Sequence, residues 1–166
     1  LGGSDDAIVL DDADLERAAD GLAWGRFSNS GQTCVAPKRL FVQDSIYDRF
    51  AALLADRVRR VNASNHRASA ETGPLIRPQQ TARLQAQFAD AVARGATVAA
   101  SAQRTDAGVF TPVLLTDVTP DMRVLREETF GPVLPVIRIR DDDDAVARAN
   151  DSPYGLNGSV WTQDIA

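Results

Sequence analysis

Short apolar runs alternate with stretches of helical spacing along the chain. Ala7-Ile8-Val9-Leu10 is apolar and set between acidic residues, as a buried strand would be. Asp11 and Asp12 offer N-caps for a helix in which Leu15, Ala18, Ala19 and Leu22 recur at helical spacing towards Phe27. Arg39-Leu40-Phe41-Val42 predicts the next strand. Ser45 followed by Asp48 has the form of a capping pattern, ahead of one apolar face made of Ile46, Phe50, Leu53, Leu54, Val58 and Val61. Residues 62–72 are small, polar and irregular, and read as a loop. A helix from Pro78 to Arg94 follows, with Leu84, Phe88, Ala91 and Val92 on one side and Gly95 placed for a left-handed cap. Thr97-Val98-Ala99 and Val113-Leu114-Leu115 are strand candidates. The longest β-like run, 132–139, carries Pro132 and Pro135, which place it at a sheet edge or limit its pairing. Aspartates 141–144 open a short helix to about Asn150, favourably placed against the helix dipole. Ser152-Pro153-Tyr154-Gly155 predicts a turn and Ser159-Val160-Trp161 a last strand.

This alternation predicts an α/β fold: an open, mostly parallel sheet with helices on both faces. A length of 166 residues suits one domain with a real core. With 44% hydrophobic and 25% charged residues, wholesale disorder is excluded. No apolar run approaches the ~20 residues of a membrane span, and Leu1-Gly2-Gly3-Ser4-Asp5-Asp6 lacks the basic and apolar regions of a secretory signal. A net charge of −5 argues against nucleic acid or an anionic membrane as partner. One cysteine cannot form an intrachain disulfide, which points to a reducing, cytoplasmic setting. Lys38 is the one lysine among 18 lysine and arginine residues, a skew of the kind that GC-rich coding produces. The chain carries neither Gly-x-Gly-x-x-Gly nor a phosphate-loop signature.

Cys34 is the first candidate for chemistry. A lone free cysteine is most simply a small buried hydrophobe. Phe27-Ser28-Asn29-Ser30-Gly31-Gln32-Thr33-Cys34, however, is small, polar and glycine-bearing, where a packed cysteine would sit in an apolar run. A nucleophilic thiol needs close substrate approach and backbone N–H groups aimed at the oxyanion it creates, and glycine-bearing turns supply both. The one histidine, His66, lies in a polar loop, so a Cys–His pair has little support. In Glu127-Glu128-Thr129-Phe130-Gly131-Pro132, the carboxylates are either simply solvated or bind hydroxyls, and the ring either packs into a turn or lies against a flat ligand. The four consecutive aspartates fan outward from a helix start without calcium-loop spacing, and no metal site is expected.

Taken together, these segments resemble the NAD(P)-dependent aldehyde dehydrogenase superfamily along nearly the whole chain. Phe27 to Cys34, continued by Val35-Ala36-Pro37-Lys38, resembles that family's active-site cysteine signature, and Glu127-Glu128-Thr129-Phe130-Gly131-Pro132-Val133 its second hallmark. Gly73-Pro74-Leu75-Ile76, Thr119-Pro120-Asp121-Met122 and Ser152-Pro153-Tyr154-Gly155-Leu156 match as well, in family order. Ser4-Asp5 and the later motifs resemble the semialdehyde-oxidising branch. Asn62-Ala63-Ser64-Asn65-His66 departs from the Gly-Asp-Pro turn that relatives usually have.

The resemblance implies a Rossmann-related catalytic-domain fold and a catalytic Cys34 whose thiolate attacks an aldehyde. The oxyanion would be held by the Cys34 N–H and an upstream asparagine. Hydride would pass to the nicotinamide of NAD or NADP, and the remaining thioester would be hydrolysed. Glu128 would hold nicotinamide-ribose hydroxyls, Phe130 would pack beside them, and Leu1 and Gly2 would border the cofactor, with Glu127 a weaker candidate. Leu1-Gly2-Gly3 resembles the end of a Glu-Leu-Gly-Gly motif whose glutamate is the general base. Residues 1–166 thus read as a single, incomplete catalytic domain, without the cofactor-binding domain and the oligomerisation arm of the homo-oligomeric relatives. The isolated chain is expected not to turn over. The alternatives are a non-catalytic, truncated remnant that folds or assembles without chemistry, and a cofactor-independent thiol esterase using Cys34. Cys34 and Glu128 are expected on one side of the sheet, at the end where its strands run out into loops.

Overall fold

Helices cover both faces of a six-stranded sheet in the computed structural model, which describes residues 2–63, 72–103 and 108–164. The strands are β1 (Asp6–Val9), β2 (Arg39–Gln43), β3 (Thr97–Ser101), β4 (Val113–Thr116), β5 (Val133–Ile139) and β6 (Gly158–Trp161). Their spatial order is β3-β4-β5-β2-β1-β6. Every pairing is parallel except β3 with β4, which is antiparallel and irregular between Val98 and Ala100. The helices are α1 (Leu15–Phe27), α2 (Tyr47–Arg60), α3 (Pro78–Ala93), the single-turn α4 (Arg123–Arg126) and α5 (Asp142–Asn150). The alternation read from the sequence therefore yields the expected layered α/β sheet.

Period-two alternation divides the core. Ala7, Val9, Leu40, Val42, Leu114, Leu134 and Val136 face α1 and α2, where Leu22, Phe50, Leu54 and Val58 meet them. On the opposite face, Val113, Leu115 and Val133 pack with Leu84 and Ala91 of α3 and Val124 of α4, while Phe41, Ile137 and Ile139 pack with Ala145 of α5. Burial on both faces is what selects the near-continuous apolar runs of β2 and β5.

Several local expectations are corrected by tertiary partners. Asp14, not Asp11 or Asp12, caps α1 by accepting from Arg17 N. Asp12 instead accepts from Thr162 Oγ1, Gln163 N and Asp164 N, pinning the chain beyond β6 to the end of β1. Ser45 does not cap α2. The start of that helix is held from β5, where the Arg138 guanidinium lies 4.0 Å from the Tyr47 ring centroid and pairs with Asp44 and Asp48. Val92 is exposed rather than part of the packed face of α3, and Gln87 takes the buried position. Pro135 does not mark an edge, since the edges are β3 and β6. It sits where β5 changes partner: pairing with β4 ends at Pro135 and pairing with β2 begins at Val136. Asp141 does cap α5 through Asp144 N, and Gly95 ends α3 with φ of 101°.

The β1–β2 register sets Asp6 against Arg39, whose Nη2 lies 2.7 Å from Asp6 Oδ1. Burial raises the Asp6 carboxyl to about 6, outweighing the pull of Arg39. A carboxyl that binds its proton more tightly folded than unfolded favours the folded state as it protonates. Stability from this group should therefore grow as pH falls from about 7 to about 5, before the ordinary carboxylates titrate. Urea unfolding across that range should show the trend, and Asp6→Asn should flatten it. A native profile that already falls from pH 7 to 5, unchanged in the variant, would refute this.

Candidate active site

β5, β2, β1 and β6 are parallel neighbours, so the segments leading into them lie side by side at one end of the sheet, however distant in sequence. Cys34 stands in the segment entering β2, Glu128 and Phe130 in that entering β5, and Gly2 in that entering β1. The candidates do share one end, but it is the amino end of the strands. The expectation of the carboxyl end is corrected, because every candidate precedes its strand rather than following it.

The Cys34 segment leaves α1 through three residues in the left-handed region, Asn29 (φ 52°), Ser30 (φ 59°) and Gly31 (φ 68°). Non-glycine residues pay for this conformation, and side chains hold them there. Asn29 Nδ2 donates to Gln32 O, and Gln32 Nε2 to Asn29 O. Ser30 Oγ donates to Gly73 O and accepts from Gly73 N, each at 2.8 Å, while Ile76 N donates to Gln32 Oε1. Gly31 must lack a Cβ, since one would lie 2.6 Å from Gly131 O. The turn delivers an exposed Cys34. Among the described residues, nothing hydrogen-bonds its thiol and its N–H has no acceptor.

The Glu128 segment is held from three sides. Gln87 Nε2 of α3 donates to Glu128 O and Glu127 Oε2, and Gln80 Nε2 donates to Phe130 O. Glu128 N donates to Tyr154 Oη, and Thr129 Oγ1 to Val124 O. From α1, the fully buried Arg26 guanidinium donates to the carbonyls of Thr129, Gly131 and Val133. Burial pushes this guanidinium below its usual range. Glu127 turns aside to Arg123, whose hydrogen bond holds its carboxyl below the ordinary carboxylate range.

Gly2 and Gly3 join the two segments. Gly3 N donates to Glu128 Oε1 at 3.1 Å. A Cβ on Gly2 would fall 2.6 Å from Glu128 Oε2, and one on Gly3 would fall 2.7 Å from Cys34 O. One backbone strand therefore touches the Glu128 carboxylate on one side and the Cys34 carbonyl on the other. Phe130 is half-buried two residues further on. Leu1 and His66 lie outside the described residues. Lys38 and Arg26, which bind the carbonyls of the two segments, were not singled out by sequence. The available signal was the single lysine in an arginine-rich chain. Among the described residues, no three His, Cys, Asp or Glu side chains gather to hold a metal ion, and no helix is long and apolar enough to cross a membrane.

Comparison with known proteins gives the family and the fold. The chain is 49% identical to the succinate-semialdehyde dehydrogenase (NADP(+)) of Deinococcus radiodurans, over 99% of its own length and 35% of that protein's. It is 41% identical to the lactaldehyde dehydrogenase of Escherichia coli strain K12, again over 99% of the chain and 35% of the relative. The crystal structure of lactaldehyde dehydrogenase from Escherichia coli superposes with a TM-score of 0.93, at 41% identity, over 99% of this chain and 35% of that one. The NADP-dependent glyceraldehyde-3-phosphate dehydrogenase from Bacillus halodurans C-125, solved in complex with NADP, gives a TM-score of 0.93 at 44% identity, over 99% and 34% of the two chains. The chain thus spans about a third of the length of the relatives it matches. The sequence profile of the aldehyde dehydrogenase family matches residues 1–166, and the chain belongs to that family.

Proposed function

We infer that this chain supplies the nucleophile and part of the nicotinamide-side contacts for the NAD(P)-dependent oxidation of an aldehyde to a carboxylic acid. The observation that carries this reading is the Gly2–Gly3 backbone, which packs Glu128 and the Cys34 segment against each other. An exposed thiol with an unclaimed N–H beside it suits addition of sulfur to a carbonyl, with the oxygen taking the N–H as the bond forms. Glu128 Oε1 accepts from Gly3, and Oε2 keeps lone pairs for a hydroxyl donor of the kind a nicotinamide ribose offers. The residues present therefore fit that end of the cofactor, with Gly2 leaving room for the carboxylate and Phe130 offering an apolar surface nearby. Bound nicotinamide would supply the hydride acceptor. Small aliphatic aldehydes, including the semialdehydes and lactaldehyde that the relatives are named for, are the substrate class this supports.

Most of a dinucleotide grip lies outside these contacts, and two or three of them cannot offset the cost of immobilising a cofactor. The purified 166-residue chain should therefore be alkylated stoichiometrically at Cys34 by iodoacetamide while folded, yet reduce neither NAD nor NADP with succinate semialdehyde or lactaldehyde. Steady cofactor reduction, lost on Cys34→Ala, would show that these contacts suffice. An unreactive thiol in the folded chain would remove the nucleophile from the proposal.

A further inference from the structure

Lysine occurs once in the chain, against 18 lysine and arginine residues in all, and it occurs four residues after Cys34. The two cations differ in geometry. A guanidinium spreads five donors around a planar fork, whereas an ammonium aims three donors from a single atom. At position 38, three carbonyls converge on that single atom: Nζ donates to Thr33 O (3.2 Å), Cys34 O (2.7 Å) and Ala36 O (3.1 Å). Lys38 is fully buried, and its own backbone N–H donates to Asp5 O at 2.8 Å. The side chain is thus a strut between the entry of β2 and the turn that carries the thiol. Burial and the nearby Arg26 lower the tendency of this ammonium to hold its proton, while Asp5, Glu128 and Cys34 act the other way.

Peptide planarity extends this grip to the thiol's surroundings. The Thr33–Cys34 amide is planar and trans, so its C=O and N–H leave from opposite edges. Thr33 O is held both by Nζ and by Ala36 N–H, so the Cys34 N–H is fixed in the direction away from the ammonium. A cationic donor on the carbonyl also polarises the amide and strengthens its N–H as a donor. That N–H has no acceptor among the described residues.

We propose that Lys38 is a positioning residue for carbonyl addition at Cys34: by gathering the Thr33, Cys34 and Ala36 carbonyls on one ammonium, it aims and polarises the Cys34 N–H at the developing oxyanion. In this step sulfur bonds to the carbonyl carbon, and the C–O π pair moves onto oxygen, where the N–H meets it. The attacking sulfur is the thiolate, whose proton has passed to water beforehand, and no further reactant is needed. The inference rests on the reading of Cys34 as nucleophile.

The test compares two reactions of the same thiol. p-Nitrophenyl acetate passes through an oxyanion, whereas iodoacetamide is displaced at saturated carbon and forms none. The rate constants for both are measured on the native chain, Lys38→Arg and Lys38→Met, with urea unfolding recorded for each. The ratio of acylation to alkylation should fall about ten-fold or more in both variants, a fraction of the loss seen when an oxyanion donor is removed outright. Lys38→Arg keeps the charge and covers a failure of Lys38→Met to fold. In the native chain labelled with 15N-lysine, the single Nζ signal should show protons protected from solvent. An unchanged ratio in a folded variant, or an Nζ exchanging as fast as free lysine, would overturn the proposal. A native chain that alkylates but whose variants keep the ratio separates this failure from failure of the nucleophile itself, in which the native thiol reacts with neither reagent.

Discussion

Replacing Gly31 by alanine is expected to destabilise the chain by about 2–5 kcal/mol, combining a left-handed penalty of about 1–2 with an overpacking cost of about 1–3. The contacts explain why little relief is available. The added Cβ would lie 2.6 Å from Gly131 O, 2.7 Å from Gly131 C and 3.0 Å from Arg26 O, all of them backbone atoms. A flexible side chain could rotate away; these atoms move only if the Cys34 and Glu128 segments separate. Arg26 resists separation, because its guanidinium holds the Thr129, Gly131 and Val133 carbonyls against the end of α1. Gly95→Ala provides the control, since Gly95 also has positive φ (101°) but nothing within 4 Å of an added Cβ. It should cost only the backbone term, about 1–2 kcal/mol. Urea unfolding of both variants gives the difference directly. Equal losses would mean that the two segments do not touch as described.

How much could be read from sequence depended on whether each signal was local. The apolar runs of 39–42 and 133–139 mark β2 and β5, because burial on both faces keeps them nearly continuous, interrupted only by Arg39 in the first and Arg138 in the second. Caps were read less well. Asp12 has the right side chain for an N-cap, but its carboxylate is claimed by residues 162–164, some 150 positions away. Pro135 illustrates the same limit: a missing N–H is tolerated in a central strand where that strand exchanges one neighbour for another, and only the sheet order reveals it. At the site, Cys34 and Glu128 stood out because their motifs are compact in sequence. Their approach through Gly2–Gly3 follows from the order β5-β2-β1, which places three entering segments together. Lys38 and Arg26 bind main-chain carbonyls, and a carbonyl has no sequence signature, so composition alone offered only an odd count.

Removing the thiol is expected to abolish acyl chemistry altogether, because Cys34 is proposed as the acyl-accepting nucleophile of this site. Sulfur should take the acetyl group of p-nitrophenyl acetate readily, because the thiol is exposed and the adjacent N–H is unclaimed. Hydrolysis of the resulting thioester should then be slow. General-base help is typically worth ~10²–10⁴-fold; Glu127 is held by Arg123, and Glu128, tied through Oε1 to Gly3 N, is the carboxylate assigned to a ribose hydroxyl rather than to water. The decisive measurement is rapid mixing of the 166-residue chain with the ester, followed by acid quench and peptide mass spectrometry. The expected result is a burst of about one p-nitrophenolate per chain with the acetyl group on Cys34, slow turnover afterwards, and no burst from Cys34→Ala. Acetylation elsewhere, a burst that survives Cys34→Ala, or rapid steady ester hydrolysis without an accumulated thioester would contradict it.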